Sequence, residues 1–231
     1  RDTGVHGYNL QVAVKSGATF TGSDYVGDWN VHMLASGASQ TYTEWAHGTL
    51  AINSSGTASW TAILWSDGDT LLPPQTTPVV SADGIMTDSV TGMRGVTTPD
   101  KNTIFATMDD SIGSYYFLVL QKKNPSTVYG LSDLQGTWMK QLLAAGNGNR
   151  WVRGTANIDG SGNHTWTSVE RAYGDQTLPT AEVLSLHADG IITSSTDSSI
   201  HGFLSQDKRT MVTVSTDATY TNRFKLTISQ K

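Results

Sequence analysis

Cysteine is absent from the 231 residues, which excludes disulfide staples, thiolate nucleophiles and thiolate metal sites. Glutamate is nearly absent: 17 of the acidic residues are Asp, and only Glu44, Glu170 and Glu182 are Glu. So little of a good helix former, beside 56 Ser and Thr and 23 Gly, describes a chain of strands and turns. Charge is scarce too, at 15% against about 25% for an average soluble domain, while 37% hydrophobic residues supply a core. The net charge of −5, without any run of Lys or Arg, gives no footprint for nucleic acid or anionic lipid. The longest apolar run, Tyr115 to Leu120, is far short of the ~20 residues of a membrane-crossing helix. Neither a transmembrane helix nor a signal peptide is expected. A start at Arg1 reads as processed or cut from a longer chain, and the composition suits a secreted or cell-surface protein.

What is present is an internal repeat at offsets of 106 to 109 residues. Gly27-Asp28-Trp29 falls on Gly136-Thr137-Trp138, Trp45 on Trp151, Trp60 on Trp166, Asp83-Gly84-Ile85 on Asp189-Gly190-Ile191, and Tyr116 to Lys123 on Phe224 to Lys231. The segment from Tyr8 to Lys15 carries the alternation of those closing strands once more. The chain therefore divides into an N-terminal strand and linker over 1–23, a first β module over 24–123 and a second over 124–231. Tyr8, Leu10, Val12 and Val14 are the residues with which that first segment would add to a sheet, of its own chain or of a neighbouring copy.

Period-2 alternation runs through each module. Strands are expected at Trp29 to Met33, Trp45 to Ile52, Ala58 to Trp65, Val79 to Ala82, Ile85 to Val90, Met93 to Thr97, Thr103 to Met108 and Tyr115 to Gln121, with Asp-Gly and Asn-Ser-Ser-Gly turns between them. About eight antiparallel strands per module define an all-β chain of two tandem barrels or sandwiches, the up-and-down barrel being favoured. On the first strand, Val31 of one copy is matched by Lys140 of the other, so this face holds a core in one module and tolerates a cation in the second.

A Gly-x-Trp on the first strand of an eight-stranded module, here Gly27-Asp28-Trp29 and Gly136-Thr137-Trp138, resembles the calycins, the group of lipocalins and avidins. The resemblance implies a barrel closed at one end by that Trp and covered by a basic residue near the last strand, a part that falls to Lys122 or Arg223.

Candidate sites are few. Trp45, Trp60, Trp65, Trp151 and Trp166 are the ligand or interface candidates, since aromatic faces stack on sugars and anchor interfaces, although core packing explains the same residues. The six histidines form no metal-binding pair, and their repeat partners are not histidine; no metal site or cofactor is expected. Asp67-Gly68-Asp69 and Asp159 to Asn163 read as turns with too few ligands for calcium. Neither a nucleophile motif nor a recurring carboxylate pair is present, so the expectation is not an enzyme. The sequence thus suggests a non-enzymatic, secreted or surface repeat protein with a structural, assembly or adhesion role whose partners are copies of itself. The alternative is a barrel that binds carbohydrate or another small molecule.

Overall fold

The computed structural model describes residues 12–15, 17–37, 43–109, 113–148, 150–172, 174–217, 220 and 222–231. Among the described residues it contains sixteen strands and no α-helix. The first eight are β1 (Gly27–Ser36), β2 (Glu44–Ile52), β3 (Ala58–Trp65), β4 (Val79–Val80), β5 (Ile85–Thr87), β6 (Arg94–Thr97), β7 (Thr103–Asp109) and β8 (Tyr115–Lys122). The second eight are β9 (Gly136–Gly146), β10 (Arg150–Ile158), β11 (Asn163–Arg171), β12 (Glu182–Leu186), β13 (Ile191–Ser194), β14 (His201–Leu204), β15 (Thr210–Thr216) and β16 (Arg223–Gln230). Strands predicted over 79–82, 85–90 and 93–97 are shorter than expected, because turns at Asp83-Gly84 and Val90-Thr91 interrupt them.

All pairing is antiparallel between strands adjacent in sequence, plus β8 on β1 and β16 on β9. The second set closes into a barrel; the first is a curled eight-stranded sheet whose edges meet only at the bridge between Ala58 and Thr76. Each of β3 and β11 carries a bulge facing Thr49 and Thr155, so that Trp60 and Ile63, like Trp166 and Val169, all turn inward despite their odd spacing.

One end of each unit is closed by the same device. A 3-10 turn (Gly22–Tyr25, Leu131–Asp133) runs under the sheet, and the fully buried Trp29 and Trp138 donate Nε1–H to the carbonyls of Tyr25 (2.9 Å) and Leu134 (2.7 Å). Lys122 and Lys231 each lie 5.6 Å over the indole and donate to the carbonyls of Asp24 and Asp133. Lys101 and Lys208 pair with those same aspartates at 2.9 Å. The glycine of Gly-x-Trp has φ of +126° in Gly27 and +129° in Gly136, and a Cβ on Gly136 would lie 2.9 Å from the covering Lys231, which explains why this position recurs as Gly. Of the two expected covers, Lys122 serves the first unit, but Arg223 does not serve the second. β16 runs toward the closed end, so Arg223 starts it at the far, open end and Lys231 arrives at the indole.

Val12 and Val14, half-buried, lie outside any strand, and Tyr8 and Leu10 lie outside the described residues. Phe20, placed by sequence in the leading segment, packs into the first core, as the equivalent Tyr129 does in the second.

Besides these two cores, a third apolar cluster joins the units flank to flank. It combines Leu34, Phe105, Phe117 and Val119 of the first with Leu143, Val212, Leu226 and Ile228 of the second. By strand register these are the same four positions taken from each copy, so the contact is self-complementary. Trp45 completes it, donating Nε1–H to Thr216 Oγ1 at 2.8 Å. Beside it stand three histidines: His47 stacks on His201 with ring centroids 4.3 Å apart, and on His32 at 6.3 Å. Burial, reinforced by the neighbouring imidazoles, pushes His32 down to about 3 and His47 down to about 4.

Candidate ligand site in the second barrel

Strand register allows the two interiors to be compared position by position, and they differ in kind. Val31 of the first is Lys140 in the second, Ala58 is His164, Thr76 is Glu182, Leu118 is Thr227, Met108 is Ser215, Tyr116 is Lys225 and Trp65 is Arg171. In the first unit Val31, Ala58, Leu118, Met108, Tyr116 and Trp65 belong to or pack on the core. In the second, the same places line a cavity of about 780 Å³, within the ordinary range for a small-molecule site.

The cavity is layered. Its base rests on the core around Trp138, Ile192, Phe203 and Met211. Above it, three polar side chains form a chain of contacts: Lys140 Nζ is 2.8 Å from His164 Nε2, and His164 Nδ1 is 3.2 Å from Glu182 Oε2. Lys140 also lies 5.0 Å over the ring of Trp166. Burial is the main force on all three. It pushes Lys140 down to about 8, against the pull of Glu182 and with help from Lys225. It also lowers His164 below its ordinary value, outweighing Glu182, so the imidazole is neutral although it faces a carboxylate. For Glu182 burial acts upward, but the His164 hydrogen bond and the nearby cations bring the carboxyl below its usual range. A proton on Nδ1 of His164 satisfies the whole row: the ammonium donates to Nε2, and Nδ1–H donates to Glu182.

Toward the mouth the lining becomes cationic. Asp217 receives Arg223 through Nε at 2.9 Å and Arg150 at 3.3 Å, and the Arg223 guanidinium stacks 3.5 Å from the Tyr220 ring. Arg171 pairs with Asp175 at 2.6 Å, yet the buried Nε atoms of Arg150 and Arg171 have no hydrogen-bond partner among the described residues. Five basic and four acidic residues line the cavity, a positive excess inside a chain of net charge −5. Between mouth and floor the wall is apolar, from Leu142, Val152, Trp166, Leu184 and Ile200. Among the described residues β11 and β12 pair at Asn163–Val183 and His164–Glu182; above them Asp175 and Thr177 to Ala181 shape the entrance.

The sequence-derived candidates are scattered by this arrangement. Trp166 lines the cavity; Trp60 and Trp65 pack on the first core. Trp45 is buried between the units, and Trp151, its counterpart on β10, is half-buried outside the barrel under Arg153 at 5.9 Å. Lys140, His164 and Glu182 were not among the candidates. Their signal was polar residues in one copy matched by Val31, Ala58 and Thr76 in the other, visible once the offset is known. Asp67 and Asp159 accept backbone N–H groups of their own turns, as the turn reading expects.

No protein-family model and no curated protein matches the chain. Among solved structures, a de novo designed fluorescence-activating β-barrel is 13% identical with a TM-score of 0.32, covering 44% of this chain and 96% of its own. A protein of unknown function from the DUF3598 family of Nostoc punctiforme is 10% identical with a TM-score of 0.30, covering 90% of this chain and 97% of its own.

Proposed function

We infer that the chain is a non-enzymatic binding protein whose second barrel holds a small organic anion with an apolar body. One observation carries this reading: seven inward positions that are apolar or uncharged in one repeat have become polar or charged in the other and surround a cavity instead of a core. Buried charges destabilise a protein unless something compensates them, and an anionic ligand would balance the excess of basic over acidic side chains in this lining. The first unit, filled and apolar, acts as the scaffold that covers the barrel's flank. The closing Trp and its lysine cover support a calycin-like relationship, and the Ser/Thr-rich composition supports a site of action outside the cell or at its surface.

The test uses 8-anilinonaphthalene-1-sulfonate as an anionic, apolar probe in fluorescence titration. One site per chain is expected. Restoring first-repeat residues in the second barrel, with Thr227→Leu and Ser215→Met together, should weaken binding at least about tenfold, or about 1.4 kcal/mol. Undiminished binding by the filled variant would overturn the assignment.

A further inference from the structure

We propose that Lys140 is an amine nucleophile that captures an aldehyde- or ketone-bearing ligand as an imine within the second barrel. The inference rests on the binding reading above and adds a covalent bond to it. Lys140 lines the cavity, is 7% exposed, and stands where the first repeat has Val31. Its close partners are His164 at 2.8 Å and the face of Trp166, and no carboxylate forms an ion pair with it among the described residues. An ammonium desolvated in this way gives up its proton readily, which is how buried lysines become nucleophiles. The charged groups that act on it are Glu182 on β12, which holds the proton, and Lys225 on β16, which repels it; burial, helped by Lys225, outweighs Glu182 and brings Lys140 down to about 8.

The step balances without an oxidant. The Nζ lone pair of the free amine attacks the carbonyl carbon, one Nζ–H bond breaks as that proton passes to the carbonyl oxygen, and a carbinolamine forms. Its C–O bond then breaks while the hydroxyl takes the remaining Nζ proton, water leaves, and a neutral C=N bond remains. His164 touches Nζ and is held by Glu182, so it is placed to carry both protons. The cationic mouth attracts a ligand whose second group is an acid, leaving its carbonyl toward the floor.

The full chain is incubated with 4-formylbenzoate and cyanoborohydride, whose hydride converts an imine into a stable amine, and the adduct is located by intact mass and peptide mapping. At pH 7.5 an amine titrating near 8 holds about 200-fold more free base than an ordinary lysine. Labelling of Lys140 is therefore expected to be at least about tenfold faster than that of the other seven lysines, and to disappear in both Lys140→Arg and Lys140→Met. His164→Gln should slow it about tenfold. Terephthalate, which lacks the carbonyl, is titrated in parallel. If terephthalate binds but Lys140 is not labelled, or label spreads evenly over all lysines, the covalent step is overturned and the binding reading stands. If neither probe engages the cavity, both fall.

Discussion

Acidification from pH 7 to pH 4.5 is expected to weaken the protein chiefly at the seam between its two units. In the unfolded chain His32 and His47 take up protons near 6.5, whereas in the folded seam they refuse them until about 3 and about 4. The unfolded state therefore binds more protons throughout the interval from about 6.5 down to those values, and stability falls with pH across it. For His32, which is 3% exposed, the loss by pH 4.5 comes to about 2–3 kcal/mol; His47, partly solvated, adds less. His201 shifts in the same direction through burial, opposed by Asp197. Urea unfolding followed at several pH values would measure the slope. The control is His32→Leu with His47→Leu, which removes both titrations and the unpartnered ring nitrogens His32 Nδ1 and His47 Nε2, and leaves every carboxylate in place. The variant should lose about 2–4 kcal/mol less than the native chain over this range. Equal slopes for the two proteins would refute the assignment of acid sensitivity to this stack.

Other expectations concern single positions. Gly136→Ala should destabilise by about 1–3 kcal/mol in thermal unfolding, since it forces a side chain into a positive φ and against Lys231, and the milder contact at Gly27 makes Gly27→Ala the smaller loss. Lys140→Met should stabilise the chain at neutral pH by about 1–2 kcal/mol, because below about 8 the native barrel carries a desolvated ammonium that the unfolded chain does not have to bury. Native stability should correspondingly rise between about 8 and 10.5, and the absence of that rise in a denaturation series would sink the argument. Trp45→Ala removes a buried indole and its bond to Thr216; a loss of about 3–5 kcal/mol, with the two units beginning to melt separately in calorimetry, is expected.

Much of the architecture was legible in the sequence because strands declare themselves by period and turns by chemistry. The resemblance carried by the duplicated Gly-x-Trp motifs implied that Trp29 and Trp138 close one end, and both indoles do lie there, buried and bonded to the 3-10 turns. Tryptophan as such was a poor guide to the site. Trp45 and Trp151 share a repeat position, yet one is sealed by the neighbouring unit and the other is half-exposed, and no single-strand pattern reveals which flank will be covered. The polar row escaped for a different reason. Lys140, His164 and Glu182 lie on three strands, 18 and 24 residues apart along the chain, and only pairing brings them together. Of the three only Lys140 stands out in the sequence, against Val31 on a core face; set against Ala58 and Thr76 in the other repeat, His164 and Glu182 are substitutions in the same direction.

The way the halves meet also limits what the protein can build. Because each donates the same patch to the other, mating uses up both patches at once, as two right hands clasped leave neither palm free. Additional modules of this kind would have to be gripped somewhere else on the surface, so a fibre, if one exists, is not an extension of this seam.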